Sequence, residues 1–211
     1  MEDDPRKRVV REGYDAIAGQ YLDWSRNSSV RQLYLEKLLA LLPSDARVLE
    51  LGCGAGVPVT RALAEKHRVT AIDVSGEQIA LAKVLVPTAE LLCADMMAVD
   101  FPENSFDAVA AFYSISHVPR EEQPELLRRV TRWLKPDGIF LGTLGALESP
   151  GKTERDWLGV PMFFSHFDAP TNLTLVRAAG LDILSADIVV QDLVGEENVI
   201  FLWVIARRAK P

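Results

Sequence analysis

The chain has 211 residues, and its 23 Lys and Arg against 30 Asp and Glu give a formal net charge of -7. This length predicts one domain with a full core, and the negative charge argues against a nucleic-acid partner. The charged N-terminus lacks a signal-peptide core, and no apolar run reaches the roughly 20 residues of a membrane span, so we expect a cytoplasmic protein that does not bind membranes. Cys53 and Cys93 have no metal-ligand spacing, so we expect reduced thiols and no metal.

Two helices are expected first, over residues 5–18 and 28–42. An apolar run over 46–51 then suits a buried parallel strand, and residues 57–67 are typical of an amphipathic helix. Between them lie three glycines, Gly52, Gly54 and Gly56, which allow a ligand to lie directly against the main chain. This strand, glycine turn and helix predict a ligand site at the carboxyl end of a parallel sheet.

Glu50 decides which ligand this turn favours. A dinucleotide-binding fingerprint would place a glycine at position 57, where this chain has Val57, and its pyrophosphate would not favour a carboxylate nearby. An acidic residue two positions before Gly52 suits a ligand with cationic groups instead. The pattern of Glu50 and the three glycines resembles the first motif of class I S-adenosylmethionine-dependent methyltransferases of the small-molecule type.

That resemblance implies S-adenosyl-L-methionine as cofactor and S-adenosyl-L-homocysteine as product. It implies an N-terminal helical cap over 1–43 that covers the cofactor, with Tyr14 and Tyr21 either as ligand contacts or as packing residues, and a cofactor-binding core over 44–144. For Trp24 we prefer packing. Cys53 lies between the glycines and is expected in the same site.

The strand over 67–72 ends at Asp73, where an acidic side chain can accept hydrogen bonds from ribose hydroxyls. Asp73 could also cap the next helix, although Ser75 fits that role better. We include the adjoining Val74 in the site, and Gln78 as either a ribose contact or a solvated helix residue. After the strand over 89–93, the resemblance implies adenine contacts from three consecutive residues, Ala94, Asp95 and Met96.

The strand over 106–112 resembles the family's fourth motif, which places Ala111 and Phe112 beside the methionine portion of the cofactor. His117 follows it as a general base or as a structural residue of the loop. A helix over 121–134, a KPDG turn over 135–138 and a strand over 139–144 complete the core.

Residues 145–169 are predicted to be either a substrate lid or an inserted hairpin with an apolar filling, and we favour the lid. Its substrate-binding candidates are Trp157, Met162 and Phe163. His166 is the second candidate base, with Asp168 either orienting its ring or stabilising the next helix.

The final segment, 170–211, carries a helix over 171–179 and strands over 182–190 and 198–207, separated by a turn over 194–198 that allows a hairpin. We therefore expect one α/β domain: a Rossmann-like, doubly wound, seven-stranded sheet, mostly parallel with one antiparallel edge strand. The predicted function is methyl transfer to an oxygen or nitrogen atom of a small molecule, by a monomer or homodimer. The alternatives are an NAD(P)-dependent oxidoreductase and a cofactor-binding protein without turnover.

Overall fold

A seven-stranded mixed sheet forms the centre of the computed structural model, which describes residues 4–193 and 196–210. The strands are β1 (Arg47–Leu51), β2 (Arg68–Asp73), β3 (Glu90–Cys93), β4 (Phe106–Ala111), β5 (Leu134–Gly145), β6 (Ser149–Trp157), β7 (Val160–His166), β8 (Leu181–Leu193) and β9 (Glu196–Arg208). The sheet order is β3-β2-β1-β4-β5-β9-β8. The first five of these strands run parallel, and β9 is antiparallel to both of its neighbours. The predicted mixed sheet closed by an antiparallel hairpin is confirmed, with β8 as its outermost strand.

Helices cover both faces of the sheet, as a doubly wound fold requires. They are α1 (Pro5–Ala16), α2 (Ala18–Ser25), α3 (Ser29–Leu41), α4 (Val59–Ala64), α5 (Gly76–Leu85), α6 (Gln123–Trp133) and α7 (Ala169–Ala178). Buried side chains of α6 and α7 pack on one face of the sheet and those of α3, α4 and α5 on the other. Two helices have serine N-caps. Ser28 accepts a backbone N–H from the first turn of α3, and Ser75 accepts one from the first turn of α5.

The first two helices and residues 149–166 form a separate cluster above the carboxyl ends of the strands. Residues 149–166 make the two-stranded hairpin β6–β7, the second of the two predicted alternatives for this region. Its buried Trp157, Met162 and Phe163 pack against Val10 and Ile17. The cap and the hairpin therefore support each other.

Several predicted boundaries shift. The expected helix over 5–18 ends at Ala16, and a second helix runs from Ala18 to Ser25, because the chain leaves helical geometry at Ile17 (φ -112, ψ 16). The helix expected over 57–67 covers only Val59–Ala64. The KPDG turn is present as an irregularity inside β5, with Asp137 at a φ of 63.

The predicted turn over 194–198 includes residues 194–195, which lie outside the described residues. Within 4–193 and 196–210, no helix is long and apolar enough to cross a bilayer.

Candidate active site

The glycine turn between β1 and α4 brings bare backbone to the ligand edge of the sheet. Gly52, Gly54 and Gly56 adopt φ values of 77, 54 and 79, which side chains rarely tolerate. A Cβ on Gly52 would lie 2.3 Å from the Cβ of Ser114, and one on Gly56 would lie 2.9 Å from a methyl of Val86. Gly52 and Gly54 line cavities, whereas Gly56 is required for packing against α5.

Asp73 forms hydrogen bonds both with this turn and with the start of the neighbouring helix α5. One carboxylate oxygen accepts the backbone N–H of Gly54 at 2.8 Å and the other accepts that of Ser75 at 2.9 Å. Ser75 itself caps α5, in agreement with the prediction. Burial raises the pKa of Asp73 to about 6. Because each carboxylate oxygen has a second lone pair, Asp73 can still accept a ligand hydroxyl.

Glu50 is buried beneath the turn at the end of β1, with 2% of its surface exposed. It accepts a hydrogen bond from the Thr60 hydroxyl at 2.6 Å. Burial raises the pKa of Glu50 to about 8, so the carboxyl is largely protonated at neutral pH when no cation lies beside it. It lines a small cavity together with Cys53 and Gly54. A ligand cation in that cavity would allow Glu50 to ionise.

Arg31, on α3, lines the same cavity and was not predicted. Its side chain is buried, donates to the carbonyl oxygen of Ser25 and lies 4.9 Å from the centre of the Tyr113 ring. No carboxylate lies within salt-bridge distance of its guanidinium in the described part of the chain. A buried cation without a counterion favours an anionic ligand group.

A further cavity beside the turn holds the residues expected around a nucleoside. Its wall includes the predicted Val74, Ala94, Asp95, Met96 and Phe112. Ala111 is instead fully buried in the sheet core and reaches none of the cavities described here. For Ala111 the structure therefore assigns packing in place of ligand contact.

Lys7 of α1 closes this cavity over Asp95. Its ammonium lies 3.0 Å from a carboxylate oxygen of Asp95 and 2.6 Å from one of Glu122. Asp95 also accepts the backbone N–H of Met97 at 2.8 Å. Lys7 was not predicted, because its role arises only when α1 folds across the sheet.

Gln78 provides an independent test of whether this site fits the cofactor implied by the sequence. Its side chain is fully buried, and neither its amide nitrogen nor its amide oxygen has a partner. Gln78 lines none of the cavities described here, but its amide oxygen lies 3.7 Å from the position of a Cβ on Gly54, which lines two of them. An unpaired buried amide is costly and indicates a missing polar partner. Together with Glu50, Arg31 and Asp73, it fits a ligand that carries an ammonium, a carboxylate and hydroxyls.

A second cavity joins the first and lies under the hairpin. Tyr14, Tyr21, Tyr113 and His117 line both cavities, so they mark the junction. The Tyr14 hydroxyl lies 2.8 Å from Nε2 of His117, and Nδ1 of His117 lies 2.9 Å from the carbonyl oxygen of Phe163. Burial lowers the pKa of His117 to about 4, so the ring is neutral. Since a carbonyl only accepts, Nδ1 carries the proton and Nε2 accepts from Tyr14.

The outer wall of the second cavity includes Trp157, Phe164 and His166. Of the two alternatives for Asp168, the structure shows the second. Asp168 caps α7 by accepting the backbone N–H of Thr171 at 2.9 Å, while Nδ1 of His166 faces the carbonyl of Leu147.

The three predicted substrate contacts differ in whether they reach the cavity. Trp157 reaches the cavity, whereas Met162 and Phe163 are buried against the cap and line none of the cavities. Phe163 lies on the face of β7 opposite to the cavity-lining Phe164. Met162 shares the face of Phe164, but its side chain packs against Gly13 of α1.

The model of a family described as "Methyltransferase domain" matches residues 48–138. The chain is 31% identical over 176 residues to 27-O-demethylrifamycin SV methyltransferase of Amycolatopsis mediterranei, covering 72% of this chain and 64% of that protein. It spans between 26% and 64% of the length of the curated relatives that it matches.

Solved structures share the fold across nearly the whole chain. The Burkholderia thailandensis 1,6-didemethyltoxoflavin-N1-methyltransferase, with its substrate and S-adenosylhomocysteine bound, superimposes with a TM-score of 0.75 at 23% identity, over 96% of this chain and 88% of that one. The 4+2 cyclase SpnF superimposes with a TM-score of 0.71 at 20% identity, over 95% of both chains. At these identities the likeness concerns the fold alone.

Proposed function

This chain belongs to the class I S-adenosylmethionine-dependent methyltransferases, and on that premise we propose that it methylates an oxygen or nitrogen atom of a small molecule. The observation that carries the proposal is the junction of the two cavities. The cavity beside the glycine turn opens into a second, aromatic cavity through Tyr14, Tyr21, Tyr113 and His117. A bound cofactor and a bound acceptor could therefore come into contact inside the protein, shielded from bulk water.

We assign the cofactor's groups to the polar residues around the turn. Glu50 binds the ammonium, Arg31 the carboxylate and Asp73 the ribose hydroxyls. The adenine lies among Val74, Ala94 and Met96, and Asp95 faces its amine. When bound, the cofactor supplies a methyl group activated by a sulfonium.

Gln78 is assigned to the same ligand because its amide is buried and unpaired. Tyr21 lies beside Gly54, with a ring carbon 3.7 Å from the position of a Cβ there, and helps to close the amino-acid end of the site.

Tyr14 and His117 are proposed to handle the acceptor's proton when the acceptor is a hydroxyl. A neutral His117 with its Nε2 directed at the Tyr14 hydroxyl can take the tyrosine proton as Tyr14 takes the proton of the acceptor. His117 therefore acts through Tyr14, and Tyr14 is the group that faces the junction. An amine with a free lone pair would need no such transfer.

His166 lies at the outer wall of the acceptor cavity, and its Nδ1 faces a backbone carbonyl. We therefore assign it to substrate binding, with Trp157, and place the proton transfer at Tyr14 and His117.

The first experiment tests methyl transfer itself. The chain is incubated with isotope-labelled S-adenosylmethionine and a metabolite extract, and methylated products are identified by mass spectrometry. Thermal shift with S-adenosylhomocysteine and with NADH is measured in parallel. Stabilisation by NADH alone would contradict the proposal, and tight binding of S-adenosylhomocysteine with no product from any acceptor would favour a binding protein.

The second experiment tests the proton pair once an acceptor is found. Tyr14→Phe and His117→Asn should each lower turnover of a hydroxyl acceptor by on the order of 100-fold, with little change in S-adenosylhomocysteine affinity. Tyr34→Phe is the matched control, because Tyr34 donates to Asp187 at 2.7 Å and lines none of the cavities described here. Turnover that survives both changes would remove the pair from the mechanism.

A further inference from the structure

An apolar strip runs from the second cavity onto the open face of the sheet edge. Ile200 of β9 lines the cavity, and its cross-strand partner on β8 is Val190. Ile188, two residues before Val190, is paired with the buried Leu202 on the same face. Because directly paired and alternate residues share a face, these side chains form one continuous surface.

This strip is open to solvent. Ile188 and Val190 are 60% and 56% exposed. Leu147 is 61% exposed, and its carbonyl faces His166 at the cavity wall. Exposed β-branched residues in a row on an edge strand indicate a binding surface more often than isolated apolar residues do.

The cavity and the strip differ in polarity along their length. The cavity itself is lined by aromatic and polar side chains, among them Trp157, Phe164 and Glu154, whereas the strip outside it is aliphatic. The strip extends roughly 12 Å from Ile200, from one strand spacing and two residues of strand rise.

We infer that the acceptor is amphipathic: an aromatic or other planar head occupies the second cavity, and an aliphatic chain lies along Ile200, Val190 and Ile188. This inference rests on the proposed function, since it takes the second cavity to be the acceptor site. Because the strip is continuous with the cavity wall, the aliphatic chain of an acceptor bound in the cavity lies along the strip.

The test uses 4-ethylphenol, 4-butylphenol and 4-heptylphenol as probes, with S-adenosylhomocysteine bound. Dissociation constants are measured by quenching of tryptophan fluorescence, because Trp24 and Trp157 line the cavity. Full burial of a methylene strengthens binding about fourfold, so about twofold per methylene is expected on a surface covered from one side. Heptylphenol should then bind about eightfold more tightly than butylphenol.

The double variant Ile188→Ser, Val190→Ser should remove most of this eightfold gain while leaving the affinities for ethylphenol and S-adenosylhomocysteine unchanged. Val84→Ser is the matched control, since Val84 is 78% exposed on α5, away from the strip. An equal gain in the double variant, or no gain in the wild-type protein, would overturn the inference.

Sedimentation velocity tests the competing possibility that a second copy of this protein covers the strip. A wild-type dimer that the double variant dissociates would make the strip a subunit contact and overturn the inference. The binding series can be measured without turnover. If affinity rises with the length of the alkyl chain but the protein methylates no acceptor, the strip is a binding surface for aliphatic chains and the proposed methyl transfer is contradicted.

Discussion

Glu50 is the residue on which the sequence interpretation depended, and the structure adds its protonation state. A buried carboxyl with a pKa of about 8 is largely neutral before the ligand arrives. A ligand ammonium beside it favours the ionised form and lowers that pKa. Binding should therefore release a proton.

We expect the affinity for S-adenosylhomocysteine to rise with pH, by at most about tenfold per unit, and to level off above pH 8. Calorimetry in two buffers of different ionisation enthalpy would measure the proton released at each pH. Glu50→Gln should weaken binding and remove the pH dependence, whereas Glu65→Gln, at an exposed position after α4, should change neither. Affinity independent of pH, with no proton released, would contradict a cation beside Glu50.

Arg31 makes a second prediction at the scale of one residue. Arg31→Met should weaken S-adenosylhomocysteine binding by about 10- to 100-fold, the range of a charge-assisted hydrogen bond of roughly 1.5–3 kcal/mol. It should leave 5'-methylthioadenosine, which lacks the amino-acid group, bound within about twofold. Arg26→Met serves as control, because that guanidinium pairs with Asp23 at the surface. Equal losses for both ligands would show that Arg31 does not bind the carboxylate.

At the scale of elements, polar contacts near both ends of α1 hold it across the cofactor cavity. Lys7 bridges Asp95 and Glu122, and Asp15 accepts the Ser75 hydroxyl at 2.6 Å. Because side chains of α1 line the cofactor cavity, we expect this helix to move when the ligand leaves.

Lys7→Met should accelerate S-adenosylhomocysteine dissociation several-fold and increase amide exchange in α1. High salt should accelerate dissociation from the wild-type protein but much less from the variant, since it screens the same ion pairs. Stopped-flow displacement and hydrogen exchange measure the two effects. Arg128→Met, which removes an exposed pair on α6, is the control; a variant with wild-type dissociation would mean that α1 is not the gate.

The sequence predicted elements whose signals are local. The strands β1, β2 and β4, the glycine turn and the cap at Ser75 follow from apolar runs, glycines and a hydroxyl at fixed positions. The hairpin was harder to predict, because most of β6 is exposed and shows no apolar alternation. The break at Ile17 carries no glycine or proline that would mark it.

The same distinction between local and long-range signals explains which residues of the candidate site could be predicted. Glu50, Gly52, Gly54 and Asp73 could be predicted because their places are set by one strand–turn–helix unit and its neighbour. Arg31 and Lys7 come from the N-terminal helices, and only the folded chain brings them to the cavities, whereas Tyr113 directly follows the predicted Phe112. The neutral state of His117 likewise depends on burial beneath the cap.

At the scale of the whole molecule, the site's buried acids should determine how stability depends on pH near neutrality. The folded protein holds a proton on Glu50 up to about pH 8, whereas the unfolded chain releases it near its ordinary value. Stability from Glu50 is thus fully present at acidic pH and is lost as pH rises towards 8. Asp73 behaves in the same way but is ionised above about pH 6. His117 is already neutral in the folded state, and its ordinary pKa of 6.5 means that the unfolded chain has lost most of this proton only by about pH 7.5.

Between about pH 7 and 8 Glu50 makes the largest of the three differences between the folded and unfolded states. We therefore expect the free energy of unfolding of the ligand-free protein to fall by up to about 1.4 kcal/mol per pH unit in this window. Urea unfolding at pH 7.0, 7.5 and 8.0 would measure it. Glu50→Gln should flatten the profile, because a neutral amide has no proton to lose. Saturating S-adenosylhomocysteine should flatten it as well, because the ammonium holds Glu50 ionised in the folded state. A profile that rises across this window in the ligand-free protein would mean that Glu50 is already ionised there, and that the cation site is formed before any ligand binds.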